Sequence, residues 1–302
     1  LARGFLFDDN FAGLVASYKG ADFSVPFYWM KAYEGNQDGF PGDKDDFDVD
    51  YYAIAPSFSP SETVTVNPYF LWITSDDARD WDADFDELDA YYIGVDLDAK
   101  LNAADVWLTA IYQGGEADDI TGPTKRSMDF SAWLAAAGAS VDLGAANVHG
   151  QVFYASGDDD DNDDDIESFE GPEGQSYLWG LIMGHGYGWD DYDEVSAHSP
   201  GEEIGNIMAV NIGTTVTPME KLTVDFDIWY AQLAEDIIPD PTKPNEKEDD
   251  LGTEVDIRAA YQLFDNLTFE VVAGYLFAGD ATYNGSDDAD PYMLGTGLTL
   301  EF

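Results

Sequence analysis

Apolar and polar residues alternate along most of this chain, in segments of about ten to fourteen residues. Residues 222–232 show the pattern most clearly. One face carries Leu222, Val224, Phe226, Ile228 and Tyr230, and the other carries Thr223, Asp225, Asp227, Trp229 and Ala231. The same alternation recurs in residues 89–100, 255–263 and 267–277. It predicts β-strands that turn one face to an apolar environment and the other to water.

The whole pattern predicts a set of antiparallel strands joined by two kinds of connection. We predict about fourteen strands: 1–8, 11–19, 22–34, 49–59, 62–75, 88–100, 103–116, 127–142, 146–157, 203–217, 221–235, 251–264, 266–280 and 290–302. Tight turns alternate with connections that are mostly long and acidic, the longest being residues 158–202. Outer-membrane barrels have this asymmetry, with short periplasmic turns and long outside loops. Sixteen to eighteen strands are the alternative, if 158–202 hides a hairpin or strands precede Leu1.

Aromatic residues at the ends of the predicted strands favour a membrane over a soluble sheet. The chain ends on an alternating segment whose last residue is Phe302, and Tyr and Trp residues concentrate near the loop ends of many strands. Such residues form girdles at the two lipid–water boundaries of a barrel. Half-buried soluble sheets share the alternation but do not sort their loops by length. We therefore predict an all-β fold, a transmembrane antiparallel up-and-down β-barrel, as one domain over residues 1–302.

Composition excludes several functions. The chain has 62 acidic and 12 basic residues, a net charge of -50 and no cysteine. Disulfides and thiolate metal sites are thus absent, and a nucleic-acid partner is implausible because phosphate binding needs basic patches. Only His149, His185 and His198 are available as catalytic bases, and none is paired with a nucleophile in a known pattern. We predict no enzymatic activity and no required cofactor.

Several short phrases of the sequence are similar to those of a known family. They are Leu1-Ala-Arg-Gly-Phe-Leu-Phe, Leu251-Gly-Thr-Glu-Val-Asp, Ala273-Gly-Tyr-Leu-Phe-Ala-Gly-Asp and Asp290-Pro-Tyr-Met-Leu-Gly-Thr. In these the chain resembles alginate-export-type outer-membrane porins of Gram-negative bacteria. The resemblance implies a monomeric barrel that passes small or oligomeric solutes. Its polysaccharide-exporting members line the pore with basic residues, and this chain departs from them.

The water-facing side of the predicted strands is strongly acidic. Glu254 belongs to this water-facing set. The residues predicted to line a pore are Asp96, Asp98, Asp225, Asp227, Asp256, Arg258 and Glu270. Carboxylates in a narrow passage concentrate cations and repel anions. We therefore predict an outer-membrane porin, a passive diffusion channel for small hydrophilic solutes with a cation-preferring lumen. The alternative is a non-conducting structural or surface-binding barrel, whose acidic loops bind divalent cations or cell-surface partners.

The long segment 158–202 contains an apolar stretch that is out of place in an outside loop. That stretch includes Tyr177, Trp179, His185 and Trp189. We predict that it folds into the lumen as a constriction. Packing over the barrel rim and an extra hairpin are the alternatives.

Dense acids in the predicted outside loops offer the hard oxygen ligands that Ca²⁺ prefers. The candidate ligands are Asp158, Asp160, Asp163, Asp165, Asp82, Asp84 and Asp86. A solvated acidic surface is the simpler interpretation, and bridging by divalent ions to lipopolysaccharide is a variant. We expect the loops to be extracellular, the C-terminus to be periplasmic, and the protein to be a monomer or a homotrimer in outer-membrane lipid.

Overall fold

The computed structural model describes residues 1–7, 10–33, 48–76, 78, 85–119, 126–160, 163–172, 177–184, 204–240, 242–282 and 290–302. In this part of the chain, helical structure is limited to two short 3₁₀ turns, Ala2–Gly4 and Asp280–Thr282. No helix among these residues is long and apolar enough to cross a membrane. The rest of the regular structure is β.

Fifteen strands lie in the described residues. They are β1 (Ala12–Lys19), β2 (Phe23–Tyr33), β3 (Val49–Ile54), β4 (Ser57–Ser61), β5 (Val64–Ser75), β6 (Phe85–Leu101), β7 (Ala104–Asp119), β8 (Arg126–Asp142), β9 (Ala146–Ala155), β10 (Asp165–Ile166), β11 (Ile207–Met219), β12 (Leu222–Ile237), β13 (Glu248–Phe264), β14 (Leu267–Ala278) and β15 (Tyr292–Leu300). Apart from β4 and β10, they form one sheet in chain order. The strand β4 pairs with β2 and β5, and β10 pairs in parallel with β8. This up-and-down arrangement confirms the predicted fold class.

Very short connections join many neighbouring strands, as the sequence predicts. Residues 102–103 join β6 to β7, residues 220–221 join β11 to β12, and residues 265–266 join β13 to β14. Asn102 and Lys221 adopt the positive φ angles, 58° and 71°, that tight hairpin turns require.

Two details of the predicted strands are wrong. In the predicted strand 1–8, the described residues 1–7 are not a strand, because Ala2, Arg3 and Gly4 have positive φ angles and residues 5–7 are buried in succession instead of alternating. The predicted strand 49–59 is divided between β3 and β4 at residues 55–56. Pro56 lacks the N–H that a continuous ladder needs.

An extra hairpin is the structural alternative for the segment 158–202. In its described residues, 158–160, 163–172 and 177–184, the only strand is the two-residue β10. The rest of the segment lies outside the described residues, so the sixteen-strand alternative stays untested.

The chain forms two compact units, each with its own core. The first comprises Leu1–Ala99, Leu108–Ala135 and Ala155–Ser176, and its most deeply buried large side chains include Tyr51, Tyr92 and Phe169. The second comprises Lys100–Trp107, Ala136–Tyr154 and Tyr177–Phe302, and Phe153, Trp229 and Glu254 are buried in it. The prediction of one domain over residues 1–302 stays a prediction.

Candidate functional site

The strands of the second unit have one exposed apolar face and one polar face. In β12, Phe226, Ile228 and Tyr230 are 37–39% exposed. Between them, Asp227 is half-buried and Trp229 is only 4% exposed. An exposed row of large apolar side chains on every second residue is what a lipid-facing strand surface needs. The polar face is therefore the side on which a functional site can be built.

Three strand pairings order the residues of this polar face. Asp225 lies opposite Arg258, Asp227 opposite Asp256, and Trp229 opposite Glu254. These pairs follow one another along β12 and β13, from the short turn at residues 220–221 towards the longer connection at the other end. Side chains directly opposite one another on adjacent strands are in contact range.

Arg258 is held between two carboxylates. Its Nε donates a hydrogen bond to Glu270 Oε2 at 2.7 Å, and its Nη1 lies 3.6 Å from Asp225 Oδ2. Asp225 also accepts a hydrogen bond from the Thr215 hydroxyl at 2.7 Å. The structure thus brings together three of the predicted pore-lining residues. The positive charge of Arg258 is compensated within the wall itself.

Asp227 is the centre of a second group. Its Oδ1 lies 2.9 Å from His149 Nε2 and accepts a hydrogen bond from Asn211 Nδ2 at 2.9 Å. His149 therefore lies on the polar face.

A segment of the long connection 158–202 packs on the same polar face. We call residues 177–184 the strap. Its backbone donates three hydrogen bonds to two carboxylates: Leu181 N to Asp256 Oδ2 at 3.2 Å, Ile182 N to Glu254 Oε1 at 2.7 Å, and Met183 N to Glu254 Oε2 at 2.8 Å. Glu254 is completely buried. A buried carboxylate requires such donors to offset its lost hydration.

Aromatic rings anchor the start of the strap. The Trp179 ring lies 5.4 Å from Phe153 and 5.2 Å from Trp229, both in edge-on arrangements. The Tyr177 ring makes a similar contact with Phe153, and its hydroxyl donates a hydrogen bond to Gln151. Since Trp179 and Trp229 are both almost fully buried, they fix the strap and offer no open stacking surface.

The predicted constriction residues are only partly described. Tyr177 and Trp179 lie in the strap, whereas His185 and Trp189 lie outside the described residues. Glu254 was predicted for the polar face but not as a site residue. The alternation of β13 predicts the face on which the Glu254 side chain lies. Its hydrogen-bond partners, however, are backbone amides, and a pattern of side chains in the sequence cannot identify backbone amides.

Asp96 and Asp98 belong to the first unit. Asp96 is buried and accepts a hydrogen bond from Thr109 Oγ1 at 2.7 Å, while Asp98 forms an ion pair with Arg3. The site built around Glu254 lies in the second unit, and these two acids do not take part in its contacts.

The predicted calcium ligands in 158–165 make local turns. Asp158 Oδ1 accepts a hydrogen bond from Asp160 N at 3.0 Å, and Asp163 Oδ1 accepts one from Asp165 N at 2.9 Å. The negative charge of Asp159, then desolvation and the other nearby acids, raise the pKa of the Glu167 carboxyl.

Among the described residues, no group of three or more acids or histidines is arranged to hold a metal ion. Asp86 is described, but Asp82 and Asp84 lie outside the described residues. Calcium binding stays a prediction.

Comparison with known proteins identifies both a family and a fold. The profile described as "Alginate export" matches residues 9–296. No curated protein sequence matches the chain significantly. Among solved structures, the outer membrane protein OprD from Pseudomonas aeruginosa is similar with a TM-score of 0.52 at 10% identity, over 95% of this chain and 66% of OprD. OccAB1 of Acinetobacter baumannii has a TM-score of 0.53 at 12% identity, over 97% of this chain and 71% of OccAB1.

Proposed function

Because this chain belongs to the alginate export family, we propose that it is an outer-membrane porin that passes small hydrophilic solutes passively and prefers cations. Family membership and the strand arrangement shared with OprD support the location and the channel role. In this proposal the acidic connections face the outside, the C-terminus faces the periplasm, and the solute leaves chemically unchanged.

The observation that carries the cation preference is the charge of the polar face on β12–β14. Four carboxylates, those of Asp225, Asp227, Asp256 and Glu270, lie there with one guanidinium, that of Arg258, while Glu254 is buried beneath the strap. Two of the four carboxylates already compensate Arg258. A water passage bordered by such a wall has a negative potential, which raises the local concentration of cations and repels anions.

The same charge argues against an anionic polysaccharide as the solute. A polyanion needs a continuous set of Lys and Arg contacts to compensate its charge, and the whole chain has 12 basic residues against 62 acidic ones. In this wall the one guanidinium is already paired. We therefore propose small cations and small neutral hydrophilic molecules as the solutes, although the family takes its name from alginate.

A second candidate function is supported by the strap. Residues 177–184 cover part of the polar face and are fixed there by hydrogen bonds and aromatic contacts. A strap that closed the passage completely would leave a non-conducting barrel that binds ions or cell-surface partners with its acidic connections. The two functions differ in whether current flows.

Single-channel recording in a planar bilayer under a tenfold KCl gradient tests the proposal. We expect stable open steps and a reversal potential displaced towards the cation limit of about 59 mV per decade. The double variant Asp225→Asn/Asp227→Asn should move the reversal potential towards zero. Asp163→Asn, which removes an acid from segment 158–165, should leave it unchanged. Absence of conductance in folded protein would refute the channel and favour the second candidate, and anion selectivity would refute the acidic filter.

A further inference from the structure

Glu254 binds more of the strap than any other acid of the polar face, since it accepts two backbone hydrogen bonds where Asp256 accepts one. Its two carboxylate oxygens accept hydrogen bonds from the backbone N–H groups of two successive strap residues, at 2.7 and 2.8 Å. No described side-chain cation pairs with it, and its side chain is fully buried. Arg258 instead pairs with Glu270 and Asp225 on the same wall. The Glu254 carboxylate thus holds a segment of backbone in place.

The close approach of the strap to Glu254 depends on glycine. A Cβ on Gly180 would lie 2.9 Å from Glu254 Oε2, and a Cβ on Gly184 would lie 2.1 Å from Trp179 Nε1. Both distances are shorter than a Cβ normally tolerates. A side chain at Gly180 would therefore crowd the carboxylate, and one at Gly184 would crowd the Trp179 ring of the strap itself.

We propose that Glu254 is the main positioning residue that sets the width of the channel. It latches the strap onto the wall, with one further hydrogen bond to Asp256, while the acids that do not contact the strap set the charge preference. This inference rests on the proposed channel function. A latched strap gives a fixed, narrow passage. Without the latch, the hydrogen bonds from the amides of Ile182 and Met183 to Glu254 are lost, and the strap moves away from the polar face.

Two variants of Glu254 separate this role from a purely electrostatic one. Glu254→Gln keeps the length of the side chain but leaves one acceptor oxygen for two donors. Glu254→Asp keeps the charge but is one methylene shorter, so it cannot reach both amides. In single-channel recordings, we expect both variants to increase open-channel conductance and current noise. The matched control Asp225→Asn removes a charge from the same wall without touching the strap, and it should change the reversal potential with little added noise.

The rate of disulfide formation between the strap and the wall measures the position of the strap independently of channel conductance. A Cβ on Gly274 would lie 3.3 Å from Leu181 Cβ, near the ~3.8 Å typical of disulfides. The chain has no native cysteine, so the double variant Leu181→Cys/Gly274→Cys contains one defined cysteine pair. The new Cβ at residue 274 would lie 2.7 Å from Asp256 Oδ1, so this oxygen must shift to make room for it. In folded protein we expect an added thiol oxidant such as diamide, which takes up the two electrons and two protons, to convert the pair readily to a disulfide. Adding Glu254→Gln should slow the oxidation at least tenfold, a factor that equals about 1.4 kcal/mol, while adding Asp225→Asn should not.

The outcomes distinguish the latch from the channel. Equal oxidation rates with and without Glu254→Gln would overturn the latch. So would recordings in which Glu254→Asp behaves as wild type and Glu254→Gln changes only the reversal potential. Slower oxidation in a protein that never conducts would support a Glu254 latch on a closed barrel and overturn the proposed channel.

Discussion

Ile228→Arg tests which face of β12 contacts lipid. Ile228 is exposed and lies between Ile212 and Val255 on the neighbouring strands, which also belong to the apolar face. With about 3.3 Å per residue and a tilt of about 40°, the step from Leu222 to Ile228 covers about 15 Å of depth. Half of an apolar band about 25 Å tall is about 12 Å. Ile228 therefore lies near the midplane, where an arginine costs about 2–4 kcal/mol of folding free energy.

Two other positions provide matched controls for this charge. Leu263→Arg lies on the same exposed face next to the turn at residues 265–266, where the cost falls to about 0–1 kcal/mol. Ala260→Arg lies on the polar face beside Glu270 and should stay within about 0.5 kcal/mol.

The assay for these three variants is reversible urea unfolding in lipid vesicles, followed by tryptophan fluorescence. The expected order of destabilisation is Ile228→Arg, then Leu263→Arg, then Ala260→Arg. If Ile228→Arg and Ala260→Arg have equal free energies of unfolding, the assignment of the apolar face to lipid is wrong.

Three further changes have defined outcomes. Arg258→Gln should strengthen cation selectivity, because two wall carboxylates lose their counter-charge, and an unchanged reversal potential would contradict this wall assignment. Gly184→Ala should release the strap, because its Cβ would lie 2.1 Å from the Trp179 ring, and limited proteolysis should then cut near residue 184 faster than in wild type. Asp159→Asn should lower the pKa of Glu167, because the Asp159 charge is the main cause that raises it. With the folded-state pKa raised, protonation favours the folded segment, and this preference is lost as pH rises through that pKa. A carboxyl NMR titration that shows no shift would contradict the cause.

The faces of the central strands could be predicted from the sequence because alternation is a local property. Each residue of β12 and β13 turns its side chain to the side opposite its neighbour's. Asp225, Asp227 and Arg258 lie on the predicted side for that reason alone. The assignment of a strand to residues 1–7 was wrong, because a few apolar residues can alternate by chance. The positive φ angles of Ala2 and Arg3 are incompatible with a β-strand at these residues.

The contacts across strands could not be predicted, because they depend on register. Asp225 meets Arg258 only because the pairing of β12 with β13 sets residue 225 opposite residue 258. A shift by one residue would move every side chain to the other face. Neither the length nor the composition of the strands determines that pairing, so the sequence supports an acidic wall but not its individual ion pairs.

The composition of the strap predicts that this segment packs on another part of the protein. The groups that hold it in place could not be predicted. An apolar, glycine-spaced stretch inside an acidic connection indicates a segment that packs on something. The strap binds the wall through its backbone N–H groups. Every residue except proline has such a group, so it leaves no signature in the sequence. Glu254 therefore has no partner that a sequence pattern can identify. For the same reason, neutralising the acids one at a time is informative. The carboxylates of one wall look equivalent in the sequence, yet Glu254 and Asp256 bind the strap backbone, and we propose that those without strap contacts set the electric field. If the latch is correct, Glu254 variants change how much current flows, and Asp225 or Asp227 variants change which ion carries it.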